Sequence, residues 1–238
     1  MNLPLEYSKL AKFFDVMSDN LALNQTLSKL LKPYPVRSLL DFSCGTGSQV
    51  LWLENRGYKV LGTDISPELV KIAKAKGLAV FEGDMRASYF GQFDAVITLD
   101  RAIGHLSRND FERALHNIAK NLNDKGLYLF DNFNFDALSD EVVSTLAIDY
   151  EKEAEGKLFR HKQSSYLDRE TKLLTSYDEF IFNDKVERGS FSLSVYSIDE
   201  IDALLKSTGF KCLEIYSREG APFDRLLSES FILIAQKI

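Results

Sequence analysis

Cysteine is nearly absent: Cys44 and Cys212 are the only two, and they lie far apart. A disulfide framework needs more, so a stapled secreted scaffold is excluded and reduced thiols in the cytoplasm are expected. No apolar run approaches the ~18 residues that span a bilayer, so no membrane partner is expected. The first residues lack a basic stretch followed by an apolar one, and no signal peptide is visible. Blocks of lysine and arginine are also missing; 29 basic residues face 35 acidic ones, for a net charge of −6. A phosphate backbone is bound mainly by clustered cations, so no nucleic-acid partner is expected. Repeats and low-complexity segments are absent too. What remains is an ordinary globular composition, 45% hydrophobic and 27% charged over 238 residues. At roughly 150 residues per domain, that length means one large domain or one with an insertion.

The first 32 residues carry Leu5, Leu10, Phe13, Phe14, Met17, Leu23, Leu27, Leu30 and Leu31 at three- and four-residue spacing, which predicts helix. Pro33 and Pro35 stop it. Strands and helices then alternate: strand 36–42, helix 48–55, strand 58–63, helix 66–77, strand 78–81, strand 93–99, helix 109–122 and strand 126–131. Such alternation predicts a doubly wound α/β fold, a mostly parallel sheet covered on both faces. Its ligand crevice should lie outside the strands' carboxyl ends. After about residue 137 the pattern changes to a helix-like stretch (137–148), a charged linker (151–156), and strands 158–167, 173–182 and 189–196. The polar turns between these strands, Asp168-Arg169-Glu170 and Asn183-Asp184-Lys185, suggest an antiparallel meander. Ser197 and Glu200 form a capping box opening a helix to 208, and strands 210–216 and 231–238 close the chain. The expected organisation is N-terminal helices (1–35), a core (36–149 and 197–238) and an antiparallel β insertion (150–196).

At the tip of the first strand stands Asp41-Phe42-Ser43-Cys44-Gly45-Thr46-Gly47. Its glycines let the backbone turn sharply and approach a ligand closely. Asp64 closes the second strand, where a carboxylate can accept from both hydroxyls of a ribose. Asp84 ends the third; it can accept from an adenine amine, with Met85 offering polarizable surface to the ring. Three carboxylates at successive strand tips point to an adenosine-shaped ligand. A nicotinamide dinucleotide would bring its pyrophosphate against Asp41, and Val50 fills the fingerprint's third small-residue slot. ATP lacks the Lys-Ser/Thr it needs. S-adenosylmethionine carries an ammonium and a sulfonium, so a carboxylate-rich pocket suits it.

With these motifs the chain resembles the class I S-adenosylmethionine-dependent methyltransferases, in their small-molecule, amine-type branch. The loop at 41–47 resembles that family's first motif, Gly62-Thr63-Asp64-Ile65-Ser66 its second-strand motif and Gly83-Asp84-Met85 its adenine-side motif. Phe93 to Asp100 is similar to the fourth-strand motif, and Asn121 to Leu127 to the turn before the fifth strand. The resemblance implies a seven-stranded sheet whose last strand is antiparallel. It implies a cofactor site that takes in Ser43, Cys44 and Ile65. Gly45 and Gly47 would lie at the methionine part, Asp41 at its ammonium, Asp64 at the ribose, and Asp84 and Met85 at the adenine. Leu99 and Asp100 would border the methyl donor, and Tyr7 would close over it from a lid helix. Phe14 stands where a second tyrosine is expected. The implied reaction is in-line methyl transfer to a nitrogen or oxygen of a small molecule, leaving S-adenosylhomocysteine, in a monomer or homodimer.

For the acceptor, His105 follows the fourth strand and is the candidate proton acceptor. Asn132-Phe133-Asn134-Phe135 after the fifth strand would line an acceptor pocket, while His161 reads as a solvated strand residue. No metal ligand set is expected. Two other readings stay open: a nicotinamide-dependent oxidoreductase, and a protein that binds the methyl donor without turnover.

Overall fold

Neighbouring apolar residues such as Leu39-Leu40, Val96-Ile97 and Leu129-Phe130 point to opposite faces of their strands, so the sheet needs cover on both sides. A computed structural model, which describes residues 4–154, 156–182 and 185–238, supplies that cover. Strands β1 (Ser38–Asp41), β2 (Lys59–Asp64), β3 (Val80–Glu82), β4 (Phe93–Thr98) and β5 (Leu122–Phe133) run parallel. Helices α1 (Phe14–Met17), α2 (Leu21–Leu31), α3 (Ser48–Glu54), α4 (Pro67–Ala75), α5 (Arg108–Lys120), α6 (Asp140–Thr145) and α7 (Ile198–Ser207) lie among and after them. Leu39, Ile97 and Leu129 pack with Leu27 and Leu31 of α2, Val50 of α3 and Val70 of α4. Their neighbours Leu40, Val96 and Phe130 pack with Phe111 and Leu115 of α5 and Ile201 of α7.

Four strands, β6 (Ile148–Ala154), β7 (Lys157–Asp168), β8 (Leu173–Phe182) and β9 (Lys185–Ser194), form a separate antiparallel sheet in that order. Strands β10 (Phe210–Ser217) and β11 (Ser230–Lys237) complete the main sheet, whose order is β10-β11-β5-β4-β1-β2-β3. β11 is antiparallel to both neighbours, as expected. The second sheet is an excursion closed at its stem, where the Phe135 N–H donates to the Tyr196 carbonyl at 3.0 Å.

Two expectations fail. Residues 1–32 are not one helix; the described part has 3-10 turns at Leu5–Tyr7 and Ala11–Phe13, then α1, then a break before α2. Ser18 is extended at the break and the Asp19 carboxylate accepts from the Leu21 N–H, local bonding that competes with a continuous helix. Phe13 turns instead toward the second sheet, against Phe159 and Phe182. The charged linker at 151–156 is also overturned, since most of it is β6. Arg160 on β7 bonds Asp149 at 2.8 Å and approaches Glu151 at 3.6 Å, so the charges are cross-strand partners on an edge strand. The expected helix at 137–148 shrinks to α6, and the turn at Asn183-Asp184 lies outside the described residues, as do residues 1–3 of the expected lid.

Candidate functional site

After β1 the chain turns through Gly45 (φ +53°) and Gly47 (φ +89°), left-handed conformations that glycine adopts without strain. The Asp64 carboxylate holds this loop against the next one. Its Oδ2 accepts from the Gly45 N–H and its Oδ1 from the Ser66 N–H, both at 2.9 Å. Burial pushes the Asp64 carboxyl up, and the amides of Ser66, Gly45 and Ile65 pull it back. The Ser43 hydroxyl accepts from the Leu99 N–H at 3.1 Å, tying the same loop to the end of β4.

These strand ends surround a cavity with about 830 Å³ of empty space. Of the expected residues, Tyr7, Ser43, Cys44, Gly45, Asp64, Ile65, Asp84, Met85, Leu99, Asp100 and His105 line it. Asp41 and Gly47 do not. Asp41 is buried beneath the loop, where its Oδ1 accepts from the Ser43 N–H at 3.0 Å and its Oδ2 has no partner among the described residues. Burial pushes the Asp41 carboxyl up to about 7, against the Ser43 amide and with help from Asp64. Asp84 faces Arg86, whose Nε reaches Oδ1 at 2.9 Å and whose terminal nitrogen reaches Oδ2 at 2.7 Å; hydrogen bonds from Arg86 hold its carboxyl down. Burial raises the Cys44 thiol, which suits a packing residue rather than a nucleophile. Phe14 and Gln49 also line the cavity and went unremarked as wall residues; Gln49 is a buried polar side chain on α3.

The wall holds the carboxylates of Asp64, Asp84 and Asp100 and, among the described residues, no lysine or arginine. Asp84 and Asp100 are each paired with an arginine outside this wall, so Asp64 is the carboxylate left without a cation among the described residues, and its charge favours a cationic ligand over a phosphate. S-adenosylmethionine therefore fits these residues, and a dinucleotide does not. Among the described residues there is no His/Cys/Asp/Glu group able to hold a metal.

A second cavity opens between the strand ends and the antiparallel sheet, with about 1120 Å³ of empty space. Tyr7, Phe14, Asn20, Asp100 and His105 line both cavities and so form their junction. The His105 Nδ1 is buried with no partner among the described residues, and its Nε2 lies 3.4 Å from the Tyr7 hydroxyl. Of the aromatic loop expected here, Phe133 lines the second cavity. Asn132 and Asn134 are instead spent on backbone carbonyls, of Ser194 and of Arg225 and Ser228. His161 is not solvated: it is buried on the cavity wall, 2.9 Å from Asp178.

Burial pushes His105 down to about 4, with Asp100 opposing. Between that value and its ordinary 6.5, the unfolded chain takes up a proton that the folded ring refuses. The contribution is therefore complete above pH 6.5 and lost as the pH falls toward 4. Asp41, raised to about 7, has the opposite slope, losing stability as the pH rises from its ordinary value, so the two flatten the parent's profile. Replacing His105 by glutamine removes one slope. Relative to the parent, the variant should gain about 3 kcal/mol between pH 6.5 and 4, read by urea unfolding; an unchanged difference would refute the buried neutral ring.

At the end of β4, Asp100 and Arg101 both take φ of 60°, a strained pair for residues with side chains. Asp131, wholly buried on β5, holds it: Oδ1 accepts from the Arg101 N–H at 2.9 Å and Oδ2 from Arg218 Nε at 2.8 Å. Arg218 also bonds Asp100 at 2.6 Å, and the Arg101 guanidinium lies 4.1 Å from the Phe133 ring centre.

Comparison with known proteins agrees with this geometry. Residues 39–126 match the methyltransferase-domain family. The putative methyltransferase YqeM of Bacillus subtilis is 27% identical over 134 residues, covering 52% of this chain and 54% of that protein. The glycine/sarcosine N-methyltransferase of Parasynechococcus marenigrum is 32% identical over 120 residues, 46% of this chain and 43% of that one. The chain thus spans about half the length of these curated relatives. The solved sugar N-methyltransferase KedS8 from Streptoalloteichus shares the fold with a TM-score of 0.76 at 20% identity, covering 98% of this chain and 93% of that one.

Proposed function

We propose that this chain, whose residues 39–126 match the methyltransferase-domain family, is a class I S-adenosylmethionine-dependent methyltransferase that transfers a methyl group to a nitrogen or oxygen of a small molecule. The observation that carries this reading is a carboxylate-lined cavity, free of lysine and arginine among the described residues, joined to a second cavity. The N-methyltransferases among its relatives and structural neighbours favour an amine acceptor. An acidic chain without basic blocks and with two free cysteines fits a cytoplasmic protein acting on a small molecule rather than a nucleic acid, and a monomer or homodimer is part of the same proposal; no helix among the described residues is long and apolar enough to cross a membrane.

When bound, S-adenosylmethionine supplies an electrophilic methyl carbon on a sulfonium. The chain's residues bind and orient. Asp64 accepts the ribose hydroxyls while its other lone pairs keep the loop amides. Asp84 and Met85 border the adenine, and the glycine loop with Asp41 beneath it supports the methionine end. Leu99 and Asp100 border the methyl, and Tyr7 with Phe14 excludes water at the junction. Holding reacting atoms near 3–3.5 Å can supply ~7–11 kcal/mol of the barrier. His105 is the proton-accepting candidate at the junction. Because burial disfavours its charged form, it serves by accepting a hydrogen bond from the nucleophile rather than by storing the proton.

Adenosylhomocysteine at a hundred times its dissociation constant should stabilise the protein by about 2.7 kcal/mol. A thermal melt reads this as a rise of roughly 5–10 °C. NADH should give none; the reverse result would favour an oxidoreductase. Labelled-methyl transfer over amines, amino acids and amino sugars separates an enzyme from a binder without turnover.

A further inference from the structure

Sheet faces turned toward a protein interior are normally apolar, yet the inner face of β7 and β8 carries a polar strip. His161, Gln163 and Ser165 alternate along β7, and Ser176 and Asp178 stand on the paired strand. Gln163 pairs with Asp178 and Ser165 with Ser176 across the ladder. His161, Gln163, Ser165 and Ser176 line the second cavity, whereas Asp178, only 4% exposed, sits behind them. A buried carboxylate needs donors, and two side chains supply them: His161 Nε2 lies 2.9 Å and Gln163 Nε2 2.8 Å from the same Oδ1.

That arrangement dictates what the wall can offer. A carboxylate only accepts, so the His161 ring carries a proton on Nε2, and as a single-proton tautomer it keeps Nδ1 as an acceptor. The Gln163 amide spends one of its two N–H groups on Asp178 and keeps the other together with its carbonyl oxygen. The ring is fixed further by stacking on Phe180, with centroids 4.2 Å apart. Two arginines also line the cavity, but Arg218 is bonded to Asp100 and Asp131, and Arg101 lies 3.7 Å from Asp100. Their charge is met within the protein, so a carboxylate on the acceptor would find no spare cation.

We infer that the His161–Gln163–Asp178 set is the specificity element of the acceptor site, and that it selects an amine bearing hydroxyl groups over one bearing a carboxylate. Asp178 acts through the other two as a positioning residue. The inference rests on the methyl-transfer reading and adds to it the residues that choose the acceptor. A hydroxyl matches this wall because it both donates, to His161 and the Gln163 carbonyl oxygen, and accepts, from the second Gln163 N–H.

The test compares three probes as methyl acceptors: glucosamine, cyclohexylamine, which has a similar ring without hydroxyls, and glucosaminic acid, which adds a carboxylate. Parent protein should prefer glucosamine over each of the others by about tenfold or more in kcat/KM, since a buried polar group left unpaired costs that much. Asp178→Leu removes the oxygen that both side chains share, and Gln163→Leu removes one acceptor; each should shrink the preference below about threefold by lowering kcat/KM for glucosamine more than for cyclohexylamine. A purely structural role would lower all three substrates together. Independently of turnover, nitrogen NMR of the unliganded protein should find the His161 proton on Nε2 in the parent, and a changed tautomer mixture in Asp178→Leu. Equal rates for the three probes, a preference for the acid, no transfer to glucosamine, or a parent proton on Nδ1 would each overturn the inference. Calorimetry with adenosylhomocysteine keeps the two readings apart: binding with equal probe rates sinks only the acceptor wall, whereas absent binding sinks the methyl-transfer reading beneath it.

Discussion

Replacing Asp64 by alanine should lower affinity for adenosylhomocysteine about a hundredfold, because hydrogen bonds to a charged group contribute roughly 1.5–3 kcal/mol each and two ribose hydroxyls lose theirs. The same change frees the Gly45 and Ser66 amides that the carboxylate holds at 2.9 Å, so the glycine loop loses its anchor as well. Asp64→Asn separates the two effects. One amide oxygen still accepts from one backbone N–H, but the NH2 group faces the other, donor against donor. Its affinity should fall nearly as far as that of the alanine variant. Isothermal calorimetry reads both variants, and unchanged affinity in Asp64→Ala would remove the ribose assignment.

Asp131→Ala should be the most destabilising single change near the site. It leaves Arg218 short of a buried partner, and breaking a buried ion pair from one side costs about 3–5 kcal/mol. It also releases the Arg101 N–H and with it the left-handed pair at Asp100 and Arg101, whose strain costs on the order of 1–3 kcal/mol per residue and persists only while surroundings enforce it. A fall in Tm on the order of 10 °C is expected for a chain of this size. Arg218→Met, which removes the charge while filling similar space, should cost less in the parent. In the Asp131→Ala background it should recover part of the loss. A Tm for Asp131→Ala within about 2 °C of the parent would refute the claim that this carboxylate holds the strained turn.

The lining of the strand-end cavity was legible because its information is local. Asp64 and Asp84 follow runs of strand-forming residues directly, and Gly45 and Gly47 announce left-handed turns within five positions of one another. Sign of charge could be counted from sequence, and two of the three counted carboxylates, Asp64 and Asp84, stand on the cavity wall, whereas Asp41 lies buried beneath the loop. Asp84 shows the limit of that reasoning, since nothing in its spacing revealed that Arg86 would occupy both its oxygens.

What failed depended on partners distant in sequence. The helical spacing of Leu10, Phe13 and Met17 is genuine, but Phe13 finds its apolar neighbours on the second sheet, and that packing overrides the local period. Glu151 and Lys152 read as solvated linker because a lone segment shows no cross-strand partner; Arg160 provides one only once the hairpin forms. His161 misled for the same reason. Alternation along β7 gives it a face, but whether that face meets water or a cavity depends on Asp178 and Tyr150 from two other strands.

The stem of the excursion, where Phe135 meets Tyr196, has an evolutionary corollary. Departure and return sit side by side, so two crossover points would transplant the four-stranded sheet, with its side of the second cavity, without rerouting the parent chain. Under the proposed reading, a new acceptor preference could then be inherited as a cassette while the strand-end cavity keeps its own residues.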